Sequence, residues 1–350
     1  MLSSIKVLNF NISVVIPAFN AEDYLPGLLE KIESQTLMPK EIVIVDSSLS
    51  KKTAVFLEKY KSLIPINYQR VDFAYPGHAR NIGVGLAKEE WIAFIDCRTI
   101  PDCNWLELIA STAEKSGAKF VGALCKFDYA DSHFKKVLCA ATYGFGATRQ
   151  LPGSIVLKRT FEESGGFISD IRAGEDLEWM HRLKLLGFKI SWMTAPSITY
   201  YGFVESLSDA VKKWFVYAFA NSSIEIKNNQ KVICGLFLLF SIFFIYRWNA
   251  IFAAWDENSI YYLPNVTKIF VLVVFMAYFV YRGIVRPLQA KVKLSFLLPW
   301  RWLMVSFVGL CLDLAKTPGI SWGAIVFLCR RICGINGDFR VRKRQDVKKS

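Results

Sequence analysis

The first half of the chain alternates short, continuously apolar runs with segments of helical period. ISVVIP (Ile12 to Pro17), EIVIVD (Glu41 to Asp46) and WIAFID (Trp91 to Asp96) read as buried strands, and INYQRVD around Ile66 as a further one. Between them, Ala21 to Gln35 places Tyr24, Leu25, Leu28, Leu29 and Ile32 on one helical face, and helical segments are predicted near Thr53 to Tyr60 and His78 to Ala87. Apolar strands without alternation, separated by helices, specify an α/β fold: a mostly parallel sheet covered on both faces. Such sheets bind ligands beyond the carboxyl ends of their strands. Asn20, Asp46 with Ser47, and Asp96 all fall at such ends.

From Cys103 to Asn228 the pattern continues less regularly. It predicts a helix over Trp105 to Lys115 and a strand over Phe120 to Cys125, then a stretch without clear period. VLKRTFEESGGF, GEDLEWMHRLKLLG and KISWM follow, with Gly174 opening a helix whose Leu177, Met180, Leu183 and Leu186 fall at helical spacing. His181 and Arg182 read as a pair on that helix's surface.

Beyond Lys231 the composition changes. Apolar runs over Val232 to Tyr246 and Ile269 to Tyr281 reach span length when extended to about 232–252 and 266–285, with Arg247, Arg282 and Arg286 snorkelling to an interface. Further hydrophobic or interfacial helices are expected at about 295–315 and 319–333, and a basic tail over 336–350. The expected division is therefore a cytosolic domain over 1–228, membrane-anchoring helices over 229–335 and the tail.

Charge divides at the same place. Of 43 Lys and Arg, 26 precede the cut after Asn228 against 25 Asp and Glu; 17 follow it against 5, so most of the net charge of +13 lies behind the cut. A basic excess confined to the most apolar third, in a chain of mean hydropathy +0.29, points to an anionic membrane surface as partner and away from nucleic acid. Lys and Arg flank both outer ends of the two predicted spans, which orients the front domain and tail to the cytosol in a multi-pass inner-membrane protein. The start of the chain lacks a secretory signal pattern, and the eight cysteines form no C-x-x-C pair, as expected for reduced thiols.

From Ser13 to Asn221 several ordered motifs carry chemistry. SVVIPAFNAEDYLPGLLEKIESQ, EIVIVDSS, ARNIGVGLAKEEWIAFID, ESGGF and GEDLEW resemble, in this order, the motifs of the inverting family 2 glycosyltransferases. That resemblance implies a GT-A fold, Rossmann-like with helices on both faces, followed here by C-terminal helices. It implies a nucleotide-diphospho-sugar donor, contacted by Pro17, Phe19, Asn20, Asp46, Arg80, Asn81, Asp96 and Arg98. Asp176 would be the base that takes the acceptor hydroxyl proton, with Glu175 orienting acceptor or base. WFVYAFANSS resembles the exit from the catalytic domain in non-processive members.

Each residue also has a plainer reading. Asp46 and Asn20 are good turn and cap formers, Arg80 and Asn81 suit a local ion pair and cap, and acids in a first helical turn need no function. The family's D-x-D position reads Asp96, Cys97, Arg98, so the Mg²⁺ or Mn²⁺ implied by the resemblance loses one carboxylate. Either Asp96 holds metal with fewer protein ligands, or the Arg98 guanidinium neutralises the same phosphates. The expected activity is inverting, non-processive sugar transfer to a lipid-linked or cell-envelope glycan acceptor. A non-catalytic nucleotide-sugar-binding scaffold is the alternative that Arg98 motivates, and a transporter is disfavoured by the apolar segments.

Overall fold

A computed structural model describes residues 10–129, 132–222, 224, 247–262 and 266–332. Strands β1 (Ile12–Ala18), β2 (Glu41–Asp46), β3 (Ile66–Arg70) and β4 (Trp91–Phe94) lie parallel in the order β3-β2-β1-β4. Every residue of β2 is buried, and all but Pro17 of β1, which is why neither run alternates with polar residues. Their side chains nevertheless divide by the period of two. Ile12, Val14, Ile16, Ile42 and Ile44 pack with Leu25, Leu28, Leu29 and Ile32 of helix α1 (Leu25–Glu33), whereas Val15, Val43 and Val45 join Ala79 and Val84 of helix α3 (Pro76–Leu86) on the opposite face. Helix α2 (Lys52–Lys59) rests Phe56 and Leu57 on the first of these layers. Gly83 lets α3 approach closely, because a Cβ there would come within 2.4 Å of Val15 Cγ1.

The second half of the sheet departs from the parallel expectation. After the short β5 (Thr99–Pro101) and helix α4 (Trp105–Ser116), β6 (Phe120–Phe127) and β7 (Thr148–Leu157) pair antiparallel, and β7 inserts antiparallel beside β4. Two short strands, β8 (Ile190–Trp192) and β9 (Ile198–Tyr200), run parallel to β6, and β9 pairs antiparallel with β5. The nine-stranded sheet is thus mixed, its parallel character concentrated in the front half. Strand β7 escapes sequence reading because Pro152 and Gly153 interrupt it. Its register against β6 jumps between the Val121–Ile155 and Ala123–Gln150 pairs, leaving Pro152 outside the ladder.

Helix α5 (His133–Ala141) lies in the stretch without apparent period, and α6 (Lys158–Glu163) leads through Gly165 and Gly166 to α7 (Glu175–Leu185). The predicted apolar face of α7 is corrected. Leu177 is exposed, and the buried face is Trp179, Met180 and Leu183 together with Glu178 and Arg182. Arg182 is no surface residue: it pairs with Glu178, and its guanidinium donates to the carbonyls of Ser164 (2.6 Å) and Gly166 (2.8 Å). With every guanidinium nitrogen engaged, the charge is tolerated inside.

Helix α8 (Leu207–Ser222) leads out of the sheet region. The first expected span falls mostly outside the described residues. The second is the helix Val266–Val280, one π-helical turn Tyr281–Val285 and a short continuation Arg286–Gln289. Arg282 does not snorkel; it is buried, paired with Asp313 at 2.8 Å and donating to the carbonyls of Ala141 and Gly309. The two helices expected at 295–315 and 319–333 are one, Arg301–Ile332, running through Pro318. Gly319 and Gly323 pack it against the backbone of α8 at Phe215 and Phe219, which holds the helix together across the proline. Among the described residues this helix alone is long and apolar enough to cross a membrane, over Arg301–Gly323.

The cut at Asn228 divides the composition but not the packing. One core cluster is built from Phe127, Val137, Leu138, Cys139, Phe203 and Ala210 in front and from Val292, Leu297, Val305, Val308 and Leu312 behind. Each of those rear side chains contributes about 1.5–3 kcal/mol by burial. Truncation after Asn228 is therefore expected to give an aggregating fragment of lowered thermal midpoint, read by size-exclusion and thermal unfolding. A monodisperse fragment with unchanged midpoint would show the rear helices to be dispensable.

Candidate active site

The carboxyl ends of β1, β2 and β4 meet as their adjacency requires. Beyond β1 the chain turns through Phe19, which is exposed, and Asn20, whose φ is +48°. That left-handed conformation is held from β2's side. The Asn20 amide donates to Ser48 Oγ (2.7 Å), and the same hydroxyl donates to Asp46 Oδ1. Asp46 is fully buried; it also accepts from the Ser48 amide at 2.9 Å and from the Tyr68 hydroxyl at 2.9 Å. Burial first, then the bond to Asp46, raises the Tyr68 pKa to about 12, so the phenol stays a donor. The structure thus gives Asp46 the turn-forming role, shaping the two loops at the carboxyl ends of β1 and β2. Pro17 takes part through its carbonyl, which accepts from Cys97 Sγ at 3.3 Å and ties the end of β1 to the turn after β4.

Asp96 follows β4 with its side chain 31% exposed, and a buried guanidinium reaches it from α3. Arg80 donates from Nη2 to Asp96 Oδ1 at 2.7 Å and from Nη1 to Glu175 Oε1 at 2.9 Å, its Cζ 5.8 Å from the centre of the Phe167 ring. Burial alone would lower the Arg80 pKa, but the carboxylates of Asp96 and Glu175 more than offset it and hold the residue charged. Arg80 is therefore not a free phosphate ligand; it joins the end of β4 to the start of α7. The next residue, Asn81, is likewise engaged. It accepts from the Phe167 amide (2.9 Å) and donates to the Phe167 carbonyl (2.8 Å), holding the ESGGF loop under α7. Replacing Asn81 by Ala leaves those backbone groups unpaired and is expected to cost about 1–3 kcal/mol, measured by thermal unfolding.

Helix α7 starts at Gly174, whose φ of +92° and near contact with Asn221 of α8 leave no room for a side chain. Asp176 is half-buried in the first turn, where its Oδ1 accepts from the Leu177 amide at 2.8 Å. Burial pushes the Asp176 carboxyl above the ordinary carboxylate range against the opposing charge of Arg80. The Glu175 carboxyl is raised too, by burial and by Asp176, which outweigh its pairing with Arg80. Two carboxyls sharing one cation in a partly dry site make a basic pair poised to accept a proton.

The sequence matches the glycosyl transferase family 2 profile over residues 13–161. Over that segment the chain is similar to family 2 glycosyltransferases. It is 33% identical over 107 residues to chondroitin synthase from Pasteurella multocida, a match covering 29% of this chain and 11% of that protein. It is 24% identical over 202 residues to glycosyltransferase AglE from Haloferax volcanii, covering 52% of this chain and 64% of that protein. Among solved structures, S. aureus TarS 1-349 in complex with UDP-GlcNAc aligns with 93% of this chain and 92% of that one, at 16% identity and a TM-score of 0.45.

The likeness to family 2 implies a divalent metal at the D-x-D position, and the donor set here does not fit one. Asp96 Oδ1 is taken by Arg80, and Arg98 stands where the second carboxylate belongs. Asp102 lies past β5 at the turn into α4, exposed. Among the described residues no three His, Cys, Asp or Glu side chains are grouped as ligands. Arg98 is exposed and lies over the Tyr24 ring, 5.2 Å from its centre.

Sequence reasoning did not single out Ser48, Tyr68, Lys213 or Tyr217. Ser48 was visible only as the last residue of EIVIVDSS, and Tyr68 as an ordinary strand residue. On α8, Lys213 and Tyr217 stand one turn apart. The Tyr217 pKa is raised, chiefly by burial; the Arg172 charge opposes this and the carboxylates of Glu175, Asp96 and Asp176 add to it.

Proposed function

We propose that the chain transfers a sugar from a nucleotide-diphospho-sugar to a glycan acceptor of the cell envelope, with inversion and without processivity. The observation that carries this reading is the Arg80 bridge. It brings Asp96, on the donor side, and Glu175 with Asp176, on the acceptor side, into one pocket at the carboxyl edge of the sheet. In that arrangement the acceptor oxygen attacks the anomeric carbon from the side opposite the diphosphate and gives its proton to Asp176, while Glu175, fixed by Arg80, orients the acceptor. Pro17, Phe19 and Asn20, backed by Asp46, form the wall for the nucleoside. The chondroitin synthase relative supports a glycan acceptor.

The exposed apolar residues Leu272, Val273, Phe275 and Met276 on one rear helix and Met304, Phe307 and Leu314 on the other support contact with membrane lipids. We read the pocket as open to the cytosolic face, where a lipid-linked acceptor is presented. The test is the full chain purified in detergent with a panel of nucleotide sugars, measuring release of nucleoside diphosphate with and without a lipid-linked glycan fraction. Release by the parent and not by Asp176→Asn supports transfer. Binding of a nucleotide sugar with no release in any combination favours the scaffold reading, for which Arg98 at the D-x-D position is the specific observation.

A further inference from the structure

Three cations on the elements around the site have no acidic partner among the described residues. Arg98 lies beyond β4, Arg172 lies in the loop before α7, and Lys213 projects from α8. Lys213 is half-buried, its Nζ between 5.7 and 5.8 Å from the centres of the Tyr200, Trp214 and Tyr217 rings. These rings limit where the ammonium can go. Strand β9 brings Tyr200 against Thr99 of β5, so the aromatic box stands immediately beside the turn that carries Asp96 and Arg98. Burial first, then the charges of Arg98 and Arg172, push the Lys213 pKa down to about 8. Like charges gathered in a partly desolvated place repel one another, and an anion among them reverses the sign of that interaction.

We infer that Arg98, Arg172 and Lys213 together seat the donor's diphosphate and neutralise it there in place of a divalent metal. The inference rests on the donor reading above and on the misfit of the D-x-D position to a metal. During transfer the bond from the anomeric carbon to the β-phosphate oxygen breaks, and its electron pair stays on the diphosphate. The acceptor oxygen forms the new bond and its proton passes to Asp176. The departing nucleoside diphosphate gains one negative charge, and the three cations are already in place to receive it. Arg98 and Arg172 offer planar forks for paired oxygens; Lys213, confined by its rings, supplies a point charge between them.

The test is binding to the full chain by calorimetry, using UDP, GDP, ADP and CDP, each bare nucleoside, and inorganic pyrophosphate, in EDTA and in Mg²⁺. At least one diphosphate should bind with the same affinity in both media and be displaced by pyrophosphate. Lys213→Ala should weaken that diphosphate by about tenfold or more and the matching nucleoside by less than about twofold, with Lys213→Arg retaining most of the affinity. Arg172→Ala, at an exposed position, should show the same selective loss and covers the case in which Lys213→Ala does not fold. Affinity lost in EDTA and restored by Mg²⁺ overturns the assignment while leaving the donor reading intact. So does equal weakening of diphosphate and nucleoside in the variants. Failure of every diphosphate to bind overturns the donor reading itself, and this assignment with it.

Discussion

Asp176→Asn is expected to reduce transfer by about 10² to 10⁴-fold while leaving nucleoside diphosphate binding within about twofold. The amide keeps the shape of the side chain and its acceptance of the Leu177 amide, so the start of α7 should not move. It removes the basicity that burial has raised. A base works only when deprotonated, so kcat/KM of the parent should fall as pH drops through a value above the ordinary carboxylate range, and the Asn variant should lack that limb. The pH–rate profiles of both proteins measure this. Near-normal turnover by Asp176→Asn would take the proton elsewhere.

The second large effect is expected at Arg80. Arg80→Met removes one cation from two carboxylates, and breaking a buried pair in this way costs about 3–5 kcal/mol because the remaining charge has no partner. The thermal midpoint should drop, and a structural role alone would stop there. The Arg80 charge also opposes the upward push of burial on Asp176, so its loss should move the acid limb of the parent's profile to higher pH. Arg80→Met should therefore combine lowered stability with a limb displaced upward, and Arg80→Lys should recover part of both. A variant that unfolds earlier but keeps the parent's pH profile would reduce Arg80 to scaffolding.

Much of the front sheet was legible because one force dictates it. Residues such as Ile42, Val43 and Ile44 are buried on both faces, so composition alone marks the strand, and Leu25, Leu28, Leu29 and Ile32 mark the helix that covers it. Strand β7 was illegible because its pairing is decided by a partner distant in sequence and by a bulge that hides its proline. The positions of Asp96, Glu175 and Asp176 followed from motif order, but their relation did not. The Arg80 bridge joins residues 95 positions apart, a fact that belongs to the fold and to no local pattern. The same holds for Asp46 and Asn81, whose types suit a ligand contact and whose structural partners turn out to be backbone and hydroxyl groups. Pro318 misled in the opposite direction. As a local signal it ends a helix, yet close packing of Gly319 and Gly323 on α8 carries the helix past it.

The cluster shared by α5, α8 and the helix Arg301–Ile332 bears on how the proposed transferase would meet its acceptor. A catalytic head on a loose tether sweeps a volume set by tether length, and it finds acceptors at many heights above a surface. Here, among the described residues, the helix that carries the exposed apolar face is packed along the same α8 that bears Lys213. With that face in a bilayer, the pocket sits at one altitude and one tilt. Reach is then a dimension of the protein, and under the proposed function an acceptor would be selected by the distance of its hydroxyl from the lipid surface before any sugar contact discriminates it.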